Sequence, residues 1–229
     1  MAALITFQRD SAYEKLLSLI VDGQLLPDQP ISERQIAAEL KIGRTPVREA
    51  MRALAQDGLP EIVPARGTFV RSISDNQLRE LYEVRQALEG QAAELAARNG
   101  AAQKLLEFVG KLERSRKART DEELGETYET GAQFHVEVFR CAGNSILTTL
   151  YLPIRNRFRV TMSLGRYYDS DWVIDGIDQH LTILEAIAAR KPSKAKRLMR
   201  AHLMASYESK QKILKQINRE PTSKPRMAS

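Results

Sequence analysis

Apolar residues at helical spacing run through most of this 229-residue chain, and they restrict its fold more than any other feature. They recur at positions i, i+3 and i+4, which places them on one face of an α-helix. The strict alternation of apolar and polar residues that marks a half-buried strand is nearly absent. We therefore expect a mainly α-helical protein with few strands. A chain of this length is expected to form two domains.

Composition and targeting signals indicate the class of protein. Hydrophobic residues make up 43% of the chain and charged residues 28%, which is typical of a soluble globular protein. The single cysteine, Cys141, excludes an internal disulfide framework and fits a reducing compartment. The first residues do not resemble a signal peptide, and no apolar run has the length of a membrane span. We expect a cytoplasmic protein with no membrane partner.

Positive charge is concentrated in one short stretch. The net charge of +6 permits an anionic partner. Residues 1–40 contain three Lys or Arg against six Asp or Glu, whereas residues 41–71 contain six against three. The local net charge therefore changes from −3 in residues 1–40 to +3 in residues 41–71, and the positive segment contains the sequence "GRTPVREAMRAL" at 43–54.

The first seventy residues predict three helices and a small β-hairpin. A helix is expected at 11–23, and "ISERQIAAEL" at 31–40 predicts a second with Ser32 as its N-cap. A third begins at Gly43 or Thr45, where Pro46 is tolerated because first-turn amides have no acceptor within the helix. Two β-prone runs at 61–63 and 68–70 are joined by "PARG". This order predicts a winged helix-turn-helix, a fold that binds duplex DNA.

The third helix has one apolar face and one basic face. The apolar positions follow helical spacing and are Val47, Ala50, Met51 and Leu54. The basic positions lie four residues apart and are Arg44, Arg48 and Arg52. A guanidinium can contact guanine in the major groove or a phosphate. The alternative is a solvated arginine face balanced by nearby glutamates.

The sequences "ISERQIAAEL", "GRTPVREAMRAL" and "GLPEIVPARGTFV" resemble the N-terminal domain of the GntR family of bacterial transcription regulators, over about residues 12–71. The resemblance implies a set of DNA-contacting residues on the second and third helices and in the wing: Arg34, Arg44, Thr45, Arg48, Arg66 and Gly67. The chain departs from the family at Gly43, where a small hydroxyl residue is usual, and at Pro60, where an aliphatic residue is usual.

The rest of the chain predicts a helical domain. We expect a winged domain at 1–72, a linker at 73–76, a helical domain at 77–218 and a disordered tail at 219–229. Six helices are expected, at 76–99, 102–119, 122–142, 144–164, 176–190 and 193–218. A loop is expected at 166–176.

This second region resembles the FCD effector-sensing domain of the FadR branch of the same family. The residues that carry the resemblance are "ELYEVRQALEGQAAELAA", "FHVEVFRCAGNSIL" and "QHLTILEAIAARKPSKAKRLMRAHL", between 80 and 203. Six helices correspond to the shorter, VanR-like type. The resemblance implies a domain that binds a small effector.

The chain has three histidines, and each falls in one of the predicted bundle helices beside apolar neighbours. His135, His180 and His202 lie at ligand positions of the family, and three imidazoles suit zinc or a similar divalent ion. Gly131 stands where the family usually has a ligating Asp. Two alternatives remain: a three-histidine site that binds a carboxylate effector directly, or a pocket that has lost its metal.

Two further residues are candidates for contact with an effector. The family places an arginine at the position of Arg85 toward the effector cavity, where a carboxylate would satisfy it. The alternative for Arg85 is an ion pair with Glu89. Asn144 is a candidate as well, or it caps the helix that follows it.

These observations together predict a ligand-responsive repressor. It would act as a homodimer on a palindromic operator, and a small organic acid would bind the helical domain near a metal ion. A metal-dependent hydrolase or lyase is an alternative, although no H-E-x-x-H arrangement supplies a general base. A metal sensor is another.

Overall fold

The computed structural model describes residues 2–21, 24–25, 29–56, 58–63, 66–70, 73–100, 103–160 and 170–217. The tail expected at 219–229, the end of the helix expected at 144–164 and the start of the loop expected at 166–176 lie outside these residues. The chain divides into two compact units: Met1–Ser74 with Leu150–Arg166, and Asp75–Thr149 with Tyr167–Ser229. The sequence places the boundary at a similar point, 73–76, and assigns all of 150–166 to the second domain.

The first unit contains the three expected helices: α1 (Ala2–Val21), α2 (Glu33–Leu40) and α3 (Arg44–Gln56). Helix α1 begins nine residues earlier than the prediction at Ser11, because no Gly or Pro interrupts residues 2–10. The side chain of Ser32 caps α2 as predicted, since its Oγ accepts a hydrogen bond from the Gln35 amide at 3.3 Å.

The apolar face of α3 forms much of the first unit's core. All four residues of the predicted stripe are buried: Val47, Ala50, Met51 and Leu54. They pack in one hydrophobic cluster with α1, to which Leu16 and Ile20 contribute. This packing fixes the rotation of α3, so its opposite face is held toward solvent.

Three short strands form an antiparallel sheet in the order β1-β3-β2: β1 (Pro30–Ile31), β2 (Pro60–Val63) and β3 (Gly67–Val70). The hairpin of β2 and β3 confirms the predicted wing. Strand β1 was not expected, since two residues are too short to show any periodicity. Pro60 pairs with Val70 at the first residue of an edge strand, where a missing amide hydrogen is tolerated.

The second unit is a helical bundle. Its helices are α4 (Asp75–Asn99), α5 (Gln103–Leu106), α6 (Phe108–Ser115), α7 (Asp121–Ala142), α8 (Ser145–Val160, whose end belongs to the first unit), α9 (Ser170–Ala188) and α10 (Pro192–Ile217). Helix α10 packs along α4, and α4, α7 and α9 pack on one another. The bundle interior is therefore enclosed by four long helices.

Two predicted boundaries in this unit were wrong. The single helix expected at 102–119 is two short helices that break at Glu107, so the six predicted segments contain seven helices in the part of the chain described. Helix α9 begins at Ser170, not at residue 176. The run "SDW" allows this early start because it opens with a small polar residue and an acid, both favourable in a first turn.

None of the described helices is long and apolar enough to cross a membrane.

Candidate nucleic-acid interface and metal centre

The basic face of α3 is open to solvent. The side chains of Arg44 and Arg48 are 64% and 50% exposed, and Thr45 and Arg52 are exposed as well. Arg34 on α2 is also exposed. Because Arg44 and Thr45 begin α3, their side chains lie at its N-terminal end, the end that helix-turn-helix proteins direct at base edges.

A single carboxylate links the two helices of this motif. Glu33 accepts hydrogen bonds from Nε and Nη2 of Arg48 at 3.1 and 3.0 Å, and from Nη2 of Arg44 at 3.3 Å. These bonds, chiefly that from Arg48, lower the pKa of Glu33 against the opposing effect of its partial burial. The contact holds both guanidinium groups in place while leaving at least half of each exposed.

The wing carries a second cation. Arg66 and Gly67 are exposed at the tip of the hairpin, and the Arg66 guanidinium lies 5.9 Å from the centre of the Phe69 ring. Gly67 has a φ of +112°, which side chains with a Cβ rarely adopt, and a Cβ built there would meet no atom within 4 Å. The tip is therefore free to approach another surface closely.

The three histidines meet inside the bundle of the second unit. Nε2 of His180 lies 3.1 Å from Nε2 of His135 and 3.1 Å from Nε2 of His202. His135 is on α7, His180 on α9 and His202 on α10, so three helices bring these nitrogens together. His135 and His180 are buried, and His202 is partly buried.

Neighbouring side chains fix the orientation of two of the rings. Nδ1 of His135 lies 2.5 Å from Oε2 of Glu89, and Nδ1 of His202 lies 2.8 Å from Oε1 of Gln179. With the imidazole proton on Nδ1, each ring would face an acceptor on that side and would leave its Nε2 lone pair directed at the common point. Carboxylate and amide partners of this kind orient metal-binding imidazoles in proteins.

This arrangement fits a divalent ion of the zinc type. Two nitrogens bound to zinc at about 2.0–2.1 Å lie roughly 3 Å apart in tetrahedral or octahedral geometry. The 3.1 Å separations agree with this spacing. Three lone pairs at such distances need a shared electrophile or a proton between them, and neutral imidazoles are common ligands of zinc, copper, iron and nickel.

Gly131 explains how His180 reaches the centre. A Cβ built at Gly131 would lie 2.9 Å from Cε1 and 3.4 Å from Nδ1 of His180. The His180 ring therefore occupies the space beside α7 that a larger side chain at position 131 would need. The three histidines form the only group of potential metal ligands found among the described residues, and no carboxylate belongs to it.

The environment of the centre keeps His180 and His202 neutral. Burial, together with the neighbouring His202 and His135, lowers the pKa of His180 well below its usual value. Burial, His135 and Arg85 lower the pKa of His202 in the same way. Burial opposes ionisation of Glu89, but Arg85 and His135 outweigh it and lower the pKa of Glu89 to about 2. The centre thus offers the neutral nitrogens of His180 and His202 near an ionised carboxylate, that of Glu89.

The two candidate effector contacts differ in their surroundings. Arg85 is buried and forms an ion pair with Glu89, Nε to Oε1 at 2.5 Å. The ion pair that the sequence analysis gave as the alternative to an effector contact is therefore present. Through Glu89, Arg85 is linked to His135 and hence to the centre. Asn144 is exposed, and its Oδ1 accepts a hydrogen bond from the Leu147 amide at 3.0 Å, which makes it the N-cap of α8.

Sequence reasoning missed two supporting residues. Glu89 was considered only as a partner of Arg85, although it also contacts His135, and Gln179 was not considered. Glu89 lies four residues after Arg85, which is the spacing of one helical turn, so the sequence itself indicated that the two side chains meet. Nothing in the sequence marked Gln179 as a supporting residue, because an amide beside a histidine is common.

Comparisons with known proteins identify both units. Residues 8–70 match the model of bacterial regulatory proteins of the gntR family, and residues 80–205 match the FCD domain. The repressor RspR of Escherichia coli is 30% identical over 88% of each chain. A probable D-xylose operon repressor of Paenarthrobacter nicotinovorans is 31% identical over 81% of each. The E. coli protein McbR/YncC has the same fold, with a TM-score of 0.79 at 20% identity over 92% of this chain and 99% of its own.

The metal-free protein should lose stability as the pH falls from about 7.5 to about 5.5. His180 and His202 have lowered pKa values in the folded state, so the unfolded chain binds more protons in this range and stability rises with pH. Each group contributes up to about 1.4 kcal/mol per pH unit. The measurement is the free energy of urea unfolding, in chelator, at a series of pH values.

The substitution His202→Asn should reduce this pH dependence, because one of the two groups is removed. Lys212→Gln, an exposed substitution on the same helix, should keep the wild-type slope. A slope that His202→Asn leaves unchanged would contradict the assigned environment of the histidines.

Proposed function

Because the chain belongs to the GntR family of bacterial regulatory proteins and has an FCD domain, it is a transcriptional regulator, and we propose that it is a repressor released by a small organic acid. Family membership argues against the alternative of a hydrolase or lyase, since the relatives are regulators of transcription. Repression is supported by the names of two relatives, which are called repressors. The three converging Nε2 atoms carry the proposal that the acid binds at a metal ion.

The DNA-binding half of the proposal is supported by the exposed cations of the first unit. Arg44 and Arg48 would enter the major groove from the N-terminal end of α3, with Thr45 and Arg34 on adjacent backbone phosphates. Arg66 and Gly67 would contact the flanking groove through the wing. Glu33 would orient the two α3 arginines before DNA arrives, so less side-chain freedom is lost on binding.

The effector-binding half is supported by the chemistry of the histidine group. Three neutral nitrogens leave the full charge of a divalent ion in place, and they leave coordination positions for oxygen ligands. A carboxylate supplies both the negative charge and the oxygen atoms. When bound, the ion would polarise and hold such a group, while Glu89 and Gln179 keep the imidazoles in their binding tautomer. Arg85, and Asn144 at the start of α8, would complete the contacts with the acid.

We further propose that the regulator works as a homodimer on an inverted repeat. Two winged domains related by a two-fold axis match the symmetry of a palindromic operator. An acid that binds one arrangement of the dimer more tightly than another shifts the population between DNA-binding and released forms. This coupling distinguishes an effector from a ligand that merely stabilises the fold.

Replacing the central arginine of the basic face tests the DNA-binding half. Arg48→Ala should weaken binding to an operator, selected from random duplexes, by about 1–3 kcal/mol and should blur its sequence preference. The measurement is fluorescence anisotropy at fixed salt. Arg79→Ala is the matched control, since Arg79 is a comparably exposed arginine on α4 of the second unit. Equal operator affinity in the wild type and Arg48→Ala would refute the assigned recognition helix.

A titration with metal and acids tests the effector half and separates it from a metal sensor. Operator binding is followed with the protein in chelator, with zinc, and with zinc plus a panel of carboxylates. We expect release only when zinc and a matching acid are both present, and we expect the same acid to raise the melting temperature. Release by zinc alone would indicate a metal sensor. Release by an acid from the chelated protein would refute the metal-based site.

A further inference from the structure

Glu33 occupies a fixed position at the start of α2, beside the basic face of α3. Ser32 caps α2 and Ile36 is buried, so α2 cannot turn about its axis without losing both contacts. Helix α3 is held by its own buried stripe. The carboxylate of Glu33 also lies in the first turn of α2, where a negative charge stabilises a helix. Stabilisation of α2 alone is therefore the simplest role for Glu33.

The contact between Glu33 and Arg48 uses one particular edge of the guanidinium group. Oε1 of Glu33 accepts a hydrogen bond from Nε of Arg48 at 3.1 Å, and Oε2 accepts one from Nη2 at 3.0 Å. The end of the guanidinium group, formed by both Nη atoms, keeps its hydrogens for another acceptor. Half of the Arg48 side chain is exposed. A parallel pair of N–H groups matches the O6 and N7 atoms of guanine.

The other arginines of α3 are held less firmly than Arg48. Arg44 donates one hydrogen bond to Glu33, from Nη2 to Oε2 at 3.3 Å. A guanidinium group held by one bond can turn about it, whereas two bonds to two oxygens fix the plane of the Arg48 group. Arg52 is exposed and forms no ion pair with another described residue. The geometry therefore singles out Arg48 as the oriented arginine.

The negative charge of Glu33 acts against binding to DNA in general. Hydrogen bonds from Arg48 hold the pKa of Glu33 below its usual value, against the effect of partial burial, so the carboxylate is ionised at neutral pH. A carboxylate at this place repels phosphate groups. Without it, Arg48 would be free to bond any phosphate, and phosphate contacts carry no sequence information. Glu33 thus lowers the affinity for arbitrary DNA while it directs Arg48 toward a base.

We propose that Glu33 is a specificity-determining positioning residue, which fixes Arg48 in the orientation that reads a guanine and keeps it from binding phosphates indiscriminately. It rests on the proposed function, because it requires the basic face of α3 to enter the major groove. The guanidinium group supplies the bonds to the base, and the carboxylate restricts where those bonds can form. Fixing one flexible side chain in advance contributes a preference of about threefold to tenfold.

The substitution Glu33→Gln removes the charge and keeps the size of the side chain. Its matched control is Glu39→Gln, which removes the same charge from an exposed position of α2 that bonds Gln35 and no arginine among the described residues. Fluorescence anisotropy with the full-length protein gives the affinities for the selected operator, for operators with single base-pair changes and for random duplex.

The base pair read by Arg48 is the guanine pair at which Arg48→Ala loses its preference. At that pair the preference should fall about threefold to tenfold in Glu33→Gln, because the guanidinium group is no longer held in one plane. Glu39→Gln should keep the wild-type preference. An unchanged preference in Glu33→Gln, an equal fall in both variants, or an Arg48→Ala variant that loses preference at no guanine would overturn the proposal.

Salt dependence is a second measurement, which a purely structural role would not alter. In Glu33→Gln the released arginine should bond one further phosphate of a random duplex. The slope of log affinity against log salt should then steepen by about 0.9, with little change in Glu39→Gln. Equal weakening of operator and random DNA in Glu33→Gln is the result expected of a damaged α2, and it would contradict the assigned role. Thermal melting verifies that both variants are folded.

A double variant shows whether Glu33 acts through Arg48. In the Arg48→Ala background, Glu33→Gln should change the preference at the same base pair by less than about twofold, because no guanidinium group remains to be positioned. A further loss as large as that in the wild-type background would show that Glu33 selects the base by another route, and the positioning role would be wrong.

The same titrations separate the role of Glu33 from the proposed function. Weaker operator binding by Arg48→Ala, together with full base preference in Glu33→Gln, would overturn only the role of Glu33. Operator binding by Arg48→Ala that equals the wild type would overturn the recognition helix of the proposed function, and the role of Glu33 with it.

Discussion

The approach of three imidazole nitrogens within the bundle is the interaction on which the second unit depends. Three helices, α7, α9 and α10, each place one Nε2 atom at a common point, and a fourth helix, α4, supplies Glu89 to orient one of the rings. Neutral nitrogen lone pairs gain nothing from facing one another unless a proton or a metal ion lies between them. The packing of four helices thus builds a three-histidine centre that such a proton or metal ion would stabilise.

This arrangement offers a physical route from ligand to helix movement. Arg85, Glu89 and His135 form a continuous buried chain from α4 to α7, and Gln179 links α9 to His202 on α10. Binding of the proposed acid at the centre would change the charge balance along these contacts and so the relative stability of alternative helix packings. The acid can shift the balance between these packings only to the extent that it binds them with different affinities.

Most of the fold follows from sequence, and the exceptions have local causes. The buried face of α3, the wing and the helix caps at Ser32 and Asn144 depend on neighbours a few residues apart, which a sequence displays. The break at Glu107 has no adjacent Gly or Pro to mark it in the sequence, whereas the start of α9 at Ser170 did have a local signal in its small polar and acidic first residues. Strand β1 exists only because β3 pairs with it.

The candidate site likewise has some features that the sequence displays and others that only the three-dimensional structure displays. The histidines were identified because their positions match a family, but their spacing along the chain could not reveal that the nitrogens lie 3.1 Å apart. Gln179 gave no signal, since one amide beside a histidine is an ordinary feature. The role of Gly131 in admitting the His180 ring depends on a contact between two helices that only coordinates display.

X-ray absorption at the zinc edge tests the central claim most directly. The full-length protein loaded with one equivalent of zinc should show nitrogen or oxygen neighbours at about 2.0–2.1 Å, with the multiple-scattering pattern of three imidazole rings. The spectrum of His202→Asn should contain one imidazole fewer. A wild-type spectrum with only oxygen neighbours, or zinc that is removed by gel filtration, would contradict a three-histidine metal centre.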